Sequence, residues 1–426
     1  MNDVVIIGGG AAGMMAGINM ATQGYKTVIY EKNDRLGRKL FITGKGRCNL
    51  TNNCDADTFF SNVVTNPKFL YSAYQSFDTN DTMDFFEKCG LKIKTERGGR
   101  VFPESDHSSD VIRVLSDKLC ELGVLIKFNT EVKEIMTEDC DDIEADNGKN
   151  ENMRQVTGVK IKEKGKQVQT VMCKKVIVAT GGASYPLTGS TGDGFKWAND
   201  MGINVSPVMP SLIPLNIEEE ICKDLMGLSL KNVNVSFVVL KKGKEKVVYS
   251  DFGEMLFTHF GVSGPVVLSA SSNLHKYIDS GVKMVIDFKP ALSRQQLDER
   301  LLRDFSSNIN KQFRNAISDL LPKRLLPYVI SMSGIDQYKK VNEITKGERQ
   351  QLIECLKSFT LNVKGFRDIS EAIITHGGIS VKEINPKNME SKKVKGLHFI
   401  GEVLDVDALT GGFNLQIAWS TAWALN

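Results

Sequence analysis

The sequence has little excess charge of either sign. Lys and Arg together number 54 and Asp and Glu 51, which gives a formal net charge of +3 over 426 residues. A balance this even gives no global electrostatic support for binding nucleic acid or an anionic membrane surface. We therefore expect neither as a partner.

Long apolar runs and targeting signals are also missing. No stretch reaches the roughly 18 apolar residues that a membrane-spanning helix needs. The N-terminus passes directly from "MND" into the short run "VVII", without the basic region and cleavage site of a secretory signal. We therefore expect a cytoplasmic protein.

The cysteines form no pattern typical of a disulfide framework or a metal site. They show no CxxC pair and no ligand spacing with the five histidines, so we expect reduced thiols and no metal. The eight positions are Cys48, Cys54, Cys89, Cys120, Cys140, Cys173, Cys222 and Cys355. The length and the 41% hydrophobic content instead allow two domains, or one domain with a large insert.

The N-terminus reads as strand, tight turn, helix and second strand. The continuous apolar run at residues 4–7 is typical of a parallel strand buried on both faces. Gly8, Gly10 and Gly13 match G-x-G-x-x-G, which permits the turn, the approach of a pyrophosphate and close helix packing. Glu31 ends the second strand about 20 residues on, where a carboxylate binds an adenosine ribose. These features favour FAD or NAD over NADP.

Three later segments favour FAD. Residues 174–184 form a second buried strand ending in Thr-Gly-Gly, and residues 396–407 form a strand ending in Gly401 and Glu402. "TGGFNLQIAWSTAWA", from residue 410, opens a last helix whose N-terminal amides can face a flavin ring. Together with the fingerprint, they predict a flavoprotein.

Several motifs in one order span nearly the whole chain, among them "GRKLFITGKGRCNLTN", "GGASYPLTGSTGDG" and "GEVLDVDALTGGFNLQ". In these motifs the chain resembles the BaiN/YhiN-like family of NAD(P)/FAD-dependent oxidoreductases. The resemblance implies an α/β fold: a Rossmann-like FAD-binding domain of glutathione-reductase type, residues 1–200 and 368–426, with an inserted mixed β-barrel and helical domain at 201–367. Phe413 departs from the family, which usually has Tyr there. The ending "AWSTAWALN" lacks the glycines that the family commonly has at its C-terminus.

The resemblance also implies non-covalent FAD and a set of residues that contact it. They are Gly8, Gly10, Ala11, Ala12, Gly13, Glu31, Lys32, Arg38, Lys39, Gly44, Gly46, Arg47, Asn49, Val132, Thr180, Gly181, Gly182, Gly401, Glu402, Asp407, Gly411, Gly412, Phe413 and Asn414.

The segment "GKGRCNLTNNC" at residues 44–54 allows three interpretations. Its glycines and Arg47 can form a cationic clamp for the cofactor, because a guanidinium binds phosphate in a bidentate way. Cys48 and Cys54 can instead form a redox disulfide, although C-x5-C differs from the C-x4-C of glutathione-reductase-like enzymes. The third possibility is a plain solvated turn. We favour the clamp.

Catalytic candidates are sparse. His259 in "FTHFGVSGP" and His376 in "ITHGG" lie in glycine-flanked loops that the resemblance marks as characteristic, and an imidazole is a suitable proton donor. A structural role for either histidine is the alternative. Arg100 can bind an acidic substrate group or simply be solvated. The acidic stretch at 138–152 is expected to be a surface loop.

These features predict an FAD-dependent oxidoreductase acting on a small molecule. The preferred reaction is NAD(P)H-driven reduction of an electron-poor double bond, with an enone of a steroid or bile acid among the substrates that the resemblance implies. Because the chain has one fingerprint, the nucleotide is expected to be a transient donor. Oxidation of a small amine by dioxygen is the alternative.

An RNA-acting flavoprotein is a rival hypothesis from another class of function. It is supported by a basic stretch that is interleaved with glutamates, namely Lys323, Arg324, Lys339, Lys340, Lys346 and Arg349.

Overall fold

The computed structural model describes residues 2–140 and 153–426. Most of the predicted acidic loop, residues 141–152, lies outside the described residues. The chain divides into two compact units. The first comprises Met1–Ser211 and Asp368–Asn426, and the second comprises Leu212–Arg367.

The strands of the first unit before the insert are β1 (Val4–Ile7), β2 (Thr27–Tyr30), β3 (Thr51–Asn52), β4 (Ile93–Glu96), β5 (Arg100–Pro103), β6 (Leu125–Lys127), β7 (Thr130–Asp139), β8 (Arg154–Glu163), β9 (Gln169–Met172), β10 (Lys175–Val178) and β11 (Val205–Ser211). The insert contains β12 (Leu215–Ile217), β13 (Ser229–Lys241), β14 (Lys244–Thr258), β15 (Gly261–Ser263), β16 (Lys283–Asp287) and β17 (Phe359–Phe366). The last segment adds β18 (Ile374–Ile379), β19 (Val394–Lys395) and β20 (Leu397–Phe399).

The helices of the first unit are α1 (Ala11–Thr22), α2 (Arg38–Ile42), α3 (Ala56–Ser61), α4 (Tyr71–Ser76), α5 (Thr79–Lys88), α6 (Ser108–Glu121) and α7 (Asp193–Asp200). The insert contains α8 (Ile221–Asp224), α9 (Pro265–Ser271), α10 (Arg294–Ser306), α11 (Phe313–Ala316), α12 (Leu326–Ser333) and α13 (Lys346–Lys357). The chain ends with α14 (Phe413–Trp423). Among the helices described, none has the length and apolarity needed to cross a membrane.

A five-stranded parallel sheet forms the centre of the first unit. Its order is β20-β10-β1-β2-β6, with Val5 paired to Val176 on one side and to Val28 on the other. All four residues of β1 are buried, as its continuous apolar run predicts. Helices α1 and α14 pack against each other beside this sheet. The predicted Rossmann-type fold class is confirmed.

The boundary of the insert differs from the expected 200/201. Strand β11 pairs antiparallel with β18, and Val205 lies opposite Ile379. Residues 201–211 therefore belong with the first unit, because β18 lies in the returning segment. Sequence patterns miss this pairing, since its partners are more than 160 residues apart.

The second unit contains a closed barrel of six strands in the order β12-β15-β14-β13-β16-β17. Its core includes Phe237 and Phe257 from the barrel and Phe313 and Leu352 from the helices, all fully buried. The alternating pattern of "NVNVSFVVL" accounts for the inward side chains of β13, because successive residues of a strand face opposite sides.

The chain's unusual ending is stabilised by a residue of α1. The side-chain amide of Asn19 donates to the carbonyl oxygens of Ala422, Trp423 and Leu425 at 3.0–3.2 Å. These bonds satisfy carbonyls that have no partner within the helix. The missing terminal glycines are therefore compensated by a side chain from another helix.

The fingerprint glycines differ in how crowded they are. A Cβ added at Gly13 would lie 1.9 Å from the carbonyl oxygen of Gly8, whereas one added at Gly10 would meet nothing within 4 Å. Gly13 thus lets α1 pack on β1, while Gly10 leaves a space above the turn.

We predict that Gly13→Ala lowers the free energy of unfolding by about 1–3 kcal/mol, because the backbone oxygen cannot move away from the new methyl group. Gly10→Ala is the control and should unfold as the wild type does. Urea titration of the FAD-free protein, followed by tryptophan fluorescence, reports on the first unit, because Trp197, Trp419 and Trp423 all lie there. Equal midpoints for the two variants would contradict this packing.

Candidate functional site

The turn after β1 is fixed by the carboxylate of Glu31. The backbone N–H of Gly9 donates to Oε2 of Glu31 at 2.7 Å, and Asn33 donates to Oε1 from its backbone at 2.8 Å and its side chain at 2.7 Å. Glu31 is 7% exposed. A carboxylate has about four acceptor positions, so one remains for a ribose hydroxyl. Glu31 therefore both shapes the turn and retains capacity for a ligand.

Lys39 and Glu402 form a partly buried ion pair at the carboxyl edge of the sheet. Nζ of Lys39 lies 2.6 Å from Oε2 of Glu402 and also donates to Oγ of Ser184 at 2.6 Å. The backbone N–H of Thr375 donates to Oε1 of Glu402 at 2.9 Å. Two residues predicted to contact FAD are thus brought together. Ser184 and Thr375 were not predicted as site residues. The motif "GGAS", which ends at Ser184, and His376, which follows Thr375, nevertheless indicated that their segments belong to the site.

Two predicted contact residues have buried polar atoms with no partner among the described residues. These atoms are Oδ1 of Asn49 and Oγ1 of Thr180. An unsatisfied buried polar group costs about 1–3 kcal/mol, so such atoms are rare in folded proteins unless a ligand or water binds them. Together with the space at Gly10, they fit a polar cofactor in this part of the molecule.

The start of α14 is built from strained glycines. Gly411 and Gly412 have φ of +130° and +98°, and the amide of Asn52 donates to the carbonyl oxygen of Gly411 at 3.0 Å. Asn414 accepts from the backbone N–H of Ala408 at 2.9 Å and donates to its carbonyl oxygen at 2.7 Å. Asn414 therefore fixes the loop before the helix through its side chain.

Phe413 fills an apolar position. It is 4% exposed and its ring centroid lies 6.2 Å from that of Phe59. Phe413 therefore packs as an apolar side chain at the position where the family usually has Tyr. Val132 is also packed in the core, at 5% exposure.

Arg47 does not lie free to clamp a phosphate. Its guanidinium bonds to Asp106 through Nε at 2.8 Å and to Glu96 through one terminal nitrogen at 2.5 Å, and it stacks 4.1 Å from the ring of Phe102. The hydrogen bond from Arg47 is the main cause that lowers the pKa of Glu96. Carboxylates distant in sequence therefore occupy most of the donors of Arg47, and its role as a bidentate clamp stays a prediction.

Lys32 and Arg38 are also engaged within the protein. Nζ of Lys32 lies 2.7 Å from Asp193, and a terminal nitrogen of Arg38 donates to Oδ1 of Asn33 at 2.7 Å. Lys32 follows Glu31 in the sequence, and Asn33 donates to the carboxylate of Glu31. Each guanidinium or ammonium keeps further donors, so a role in cofactor contact stays a prediction.

The two cysteines of residues 44–54 are thiols in the structure, as are the other six. Cys48 is fully buried, and burial, followed by the charge of Asp55, raises the pKa of Cys54 to about 11. Such a thiol is a poor nucleophile near neutral pH, because the thiolate is the reactive form. The geometry therefore gives no support to the redox-disulfide interpretation.

His376 is paired with a buried carboxylate. Its Nδ1 lies 3.0 Å from Oδ1 of Asp407, which is 1% exposed. Oγ of Ser211 donates to Oδ2 of the same carboxylate at 2.9 Å. The carboxylate orients the ring. Asp407 is thus tied to His376 rather than standing alone as a cofactor contact.

The other candidate side chains have fewer contacts. His259 is exposed in the turn between β14 and β15, with its ring 5.0 Å from that of Phe260. Arg100 is exposed and donates to the carbonyl oxygen of Arg97 at 3.1 Å. Among the described residues no cluster could hold a metal ion.

A parallel sheet carries an open glycine turn and a buried carboxylate after its second strand, and two predicted contact residues have unsatisfied buried polar atoms. These features are typical of a dinucleotide-binding protein. Residues 2–426 match the HI0933-like protein Rossmann domain family, and the chain belongs to that family. It is an FAD-dependent oxidoreductase.

Curated relatives align along almost their whole length. A 3-dehydro-bile acid delta(4,6)-reductase of Clostridium scindens is 29% identical over 99% of this chain and 98% of its own. A ribosomal RNA dihydrouridine synthase of Escherichia coli is 31% identical over 99% and 96%. One of the same name from Haemophilus influenzae is also 31% identical over 99% and 96%.

A solved structure shares the fold. The 3-ketosteroid delta1-dehydrogenase of Sterolibacterium denitrificans, in complex with 1,4-androstadiene-3,17-dione, has a TM-score of 0.51 and 14% sequence identity, covering 99% of this chain and 98% of its own.

We predict that Glu31→Ala weakens FAD binding by on the order of 1.5–3 kcal/mol, because charge-assisted ribose hydrogen bonds and the bond that holds Gly9 are lost together. Titration of FAD-free protein with FAD, followed by flavin fluorescence, measures the change. Glu87→Ala removes an exposed carboxylate of α5 and is the control. Unchanged affinity in Glu31→Ala would show that the ribose binds elsewhere.

Proposed function

We propose that the enzyme uses NAD(P)H to reduce a carbon–carbon double bond conjugated to a carbonyl group. The observation that carries this proposal is the full-length similarity to two kinds of relatives whose names imply one chemistry. A delta(4,6)-reductase of a 3-dehydro bile acid saturates a bond conjugated to the C3 carbonyl. Forming dihydrouridine saturates the C5=C6 bond of uridine, conjugated to the C4 carbonyl. The shared feature is the electron-poor double bond.

FAD, when bound, supplies the hydride chemistry. The residues proposed to hold it are Glu31 at the ribose, the turn at Gly10, and Asn49 and Thr180 through their unsatisfied atoms. The N-terminus of α14, at Gly411 and Gly412, is proposed to stabilise negative charge, because the helix dipole and its free amides face that end.

His376 is proposed as the proton donor. Reduction of a conjugated double bond adds a hydride to one carbon and a proton to the neighbouring one. The carboxylate of Asp407 orients the ring, and Oγ of Ser211 donates to the other oxygen of that carboxylate. His376 directly follows Thr375 in β18, and the backbone N–H of Thr375 donates to Glu402.

An RNA substrate is the second candidate, favoured by the two relatives named ribosomal RNA dihydrouridine synthase. The basic stretch that first suggested it is partly neutralised. Lys339 pairs with Glu348 at 2.7 Å and Arg349 pairs with Asp298. The expectation that nucleic acid is not a partner stays a prediction, and steep weakening of RNA binding by salt would reverse it.

We predict that NADH or NADPH bleaches the bound flavin in an anaerobic stopped-flow mix and that an enone restores the oxidised spectrum. With one fingerprint, donor and acceptor are expected to use one face of the flavin in turn, which gives parallel double-reciprocal lines. Intersecting lines with a trapped ternary complex would contradict this order. Bleaching by a small amine but by neither nucleotide would establish the oxidase alternative.

We predict that His376→Asn slows the reoxidation of reduced enzyme by the enone at least about 100-fold and leaves reduction by the nucleotide unchanged, since only the former needs the proton. His107→Asn, at an exposed position before α6, is the control. Single-turnover rates separate the two half-reactions. Equal losses in both would indicate a structural role for His376.

A further inference from the structure

A cavity of about 580 Å³ lies in the first unit, among side chains of the segment after β2, of α2 and of α6. Its volume is within the range of small-molecule sites, roughly 300–1,000 Å³. Gly8, Gly10, Gly13 and Glu31 do not line it, whereas Arg38, one of the predicted FAD contacts, does. The cavity is therefore distinct from the turn proposed to receive the pyrophosphate of FAD.

The lining of this cavity is positively charged. Arg35, Arg38 and Arg113 contribute three guanidinium groups, and among the residues that line it Asp34 is the single carboxylate. Arg113 has a weak partner on its own helix, Asp110, at 3.4 Å and with 64% of the arginine side chain exposed. Such surface pairs contribute little and are easily exchanged for a ligand. The charge fits an anion, and phosphate suits the planar fork of arginine.

Apolar side chains line the cavity as well, together with Ser109, Ser116 and Thr188. Leu187 is 90% exposed, Phe41 49% and Phe128 38%. Neighbouring exposed apolar groups of this kind mark a binding surface more often than single ones do. The guanidinium of Arg35 lies 5.9 Å from the ring centroid of Phe41, so a ligand in the cavity can contact an aromatic ring and a cation at the same time. A ligand with a planar body and phosphates satisfies both.

We propose that this cavity binds the adenosine phosphate half of the nicotinamide nucleotide donor. The proposal rests on the proposed function, which requires such a donor. The chain has one G-x-G-x-x-G fingerprint, so no second glycine turn is available for the donor's phosphates. Side chains must then supply the recognition, and this cavity provides guanidinium groups for the phosphates and aromatic faces for the adenine.

The test uses probes that carry the adenosine half but cannot reduce a flavin. Binding of 2′,5′-ADP and of ADP-ribose to the FAD-loaded protein is measured by calorimetry. Arg35→Ala/Arg113→Ala should raise the Kd of the better probe at least tenfold and raise the KM of the donor by a similar factor. The rate at which the enone reoxidises dithionite-reduced enzyme should not change. Arg97→Ala, at an exposed position on another surface loop, is the control.

Two results would overturn the proposal. The first is that the double variant binds the probes as tightly as the wild type does. The second is that the double variant loses FAD, which would assign the cavity to the adenosine of the flavin cofactor. An unchanged flavin spectrum shows that the variant is folded. Failure of the dithionite-reduced wild type to reduce any enone would instead count against the proposed function. The probe titration separates this failure from failure of the cavity proposal, because probe binding needs no turnover.

Discussion

The candidate site depends on the ion pair between Lys39 and Glu402. The two residues are 363 positions apart, and their side chains are only 18% and 15% exposed. Removing one partner of such a partly buried pair leaves an uncompensated charge, which is destabilising. Because Ser184 and Thr375 bond to the same charges, the pair joins four separate segments at the carboxyl edge of the central sheet. The polar atoms proposed to hold FAD lie in or beside those segments.

The local parts of this arrangement could be predicted from the sequence. The buried strand β1, the glycine turn and Glu31 occupy one continuous segment, residues 4–31, and each follows from a short-range requirement of packing or backbone conformation. The strand-ending glycines of the later segments were recognisable for the same reason. The fold class followed from these features and from the order of the motifs.

Features that depend on distant partners could not be predicted. Arg47 stands in a loop that resembles a phosphate clamp, and nothing nearby in sequence indicates that Glu96 and Asp106 occupy its donors. The pairing of β11 with β18 moved the boundary of the insert for the same reason. Asp407 was expected as a cofactor contact, and its pairing with His376, 31 residues earlier, was not predicted. In each case a polar side chain had several possible partners, and only the fold selects one.

The proposed chemistry is independent of the size of the substrate. A conjugated double bond needs a hydride at one carbon, a proton at the next and stabilisation of negative charge on the carbonyl oxygen while both are added. The first unit contains residues suited to these needs, namely the proposed FAD contacts, His376 with Asp407, and the N-terminus of α14. None of them recognises a steroid skeleton or a nucleoside. We infer that relatives with a bile acid and with ribosomal RNA in their names can share this unit because both substrates present the same conjugated group, while their remaining atoms must be recognised by other residues.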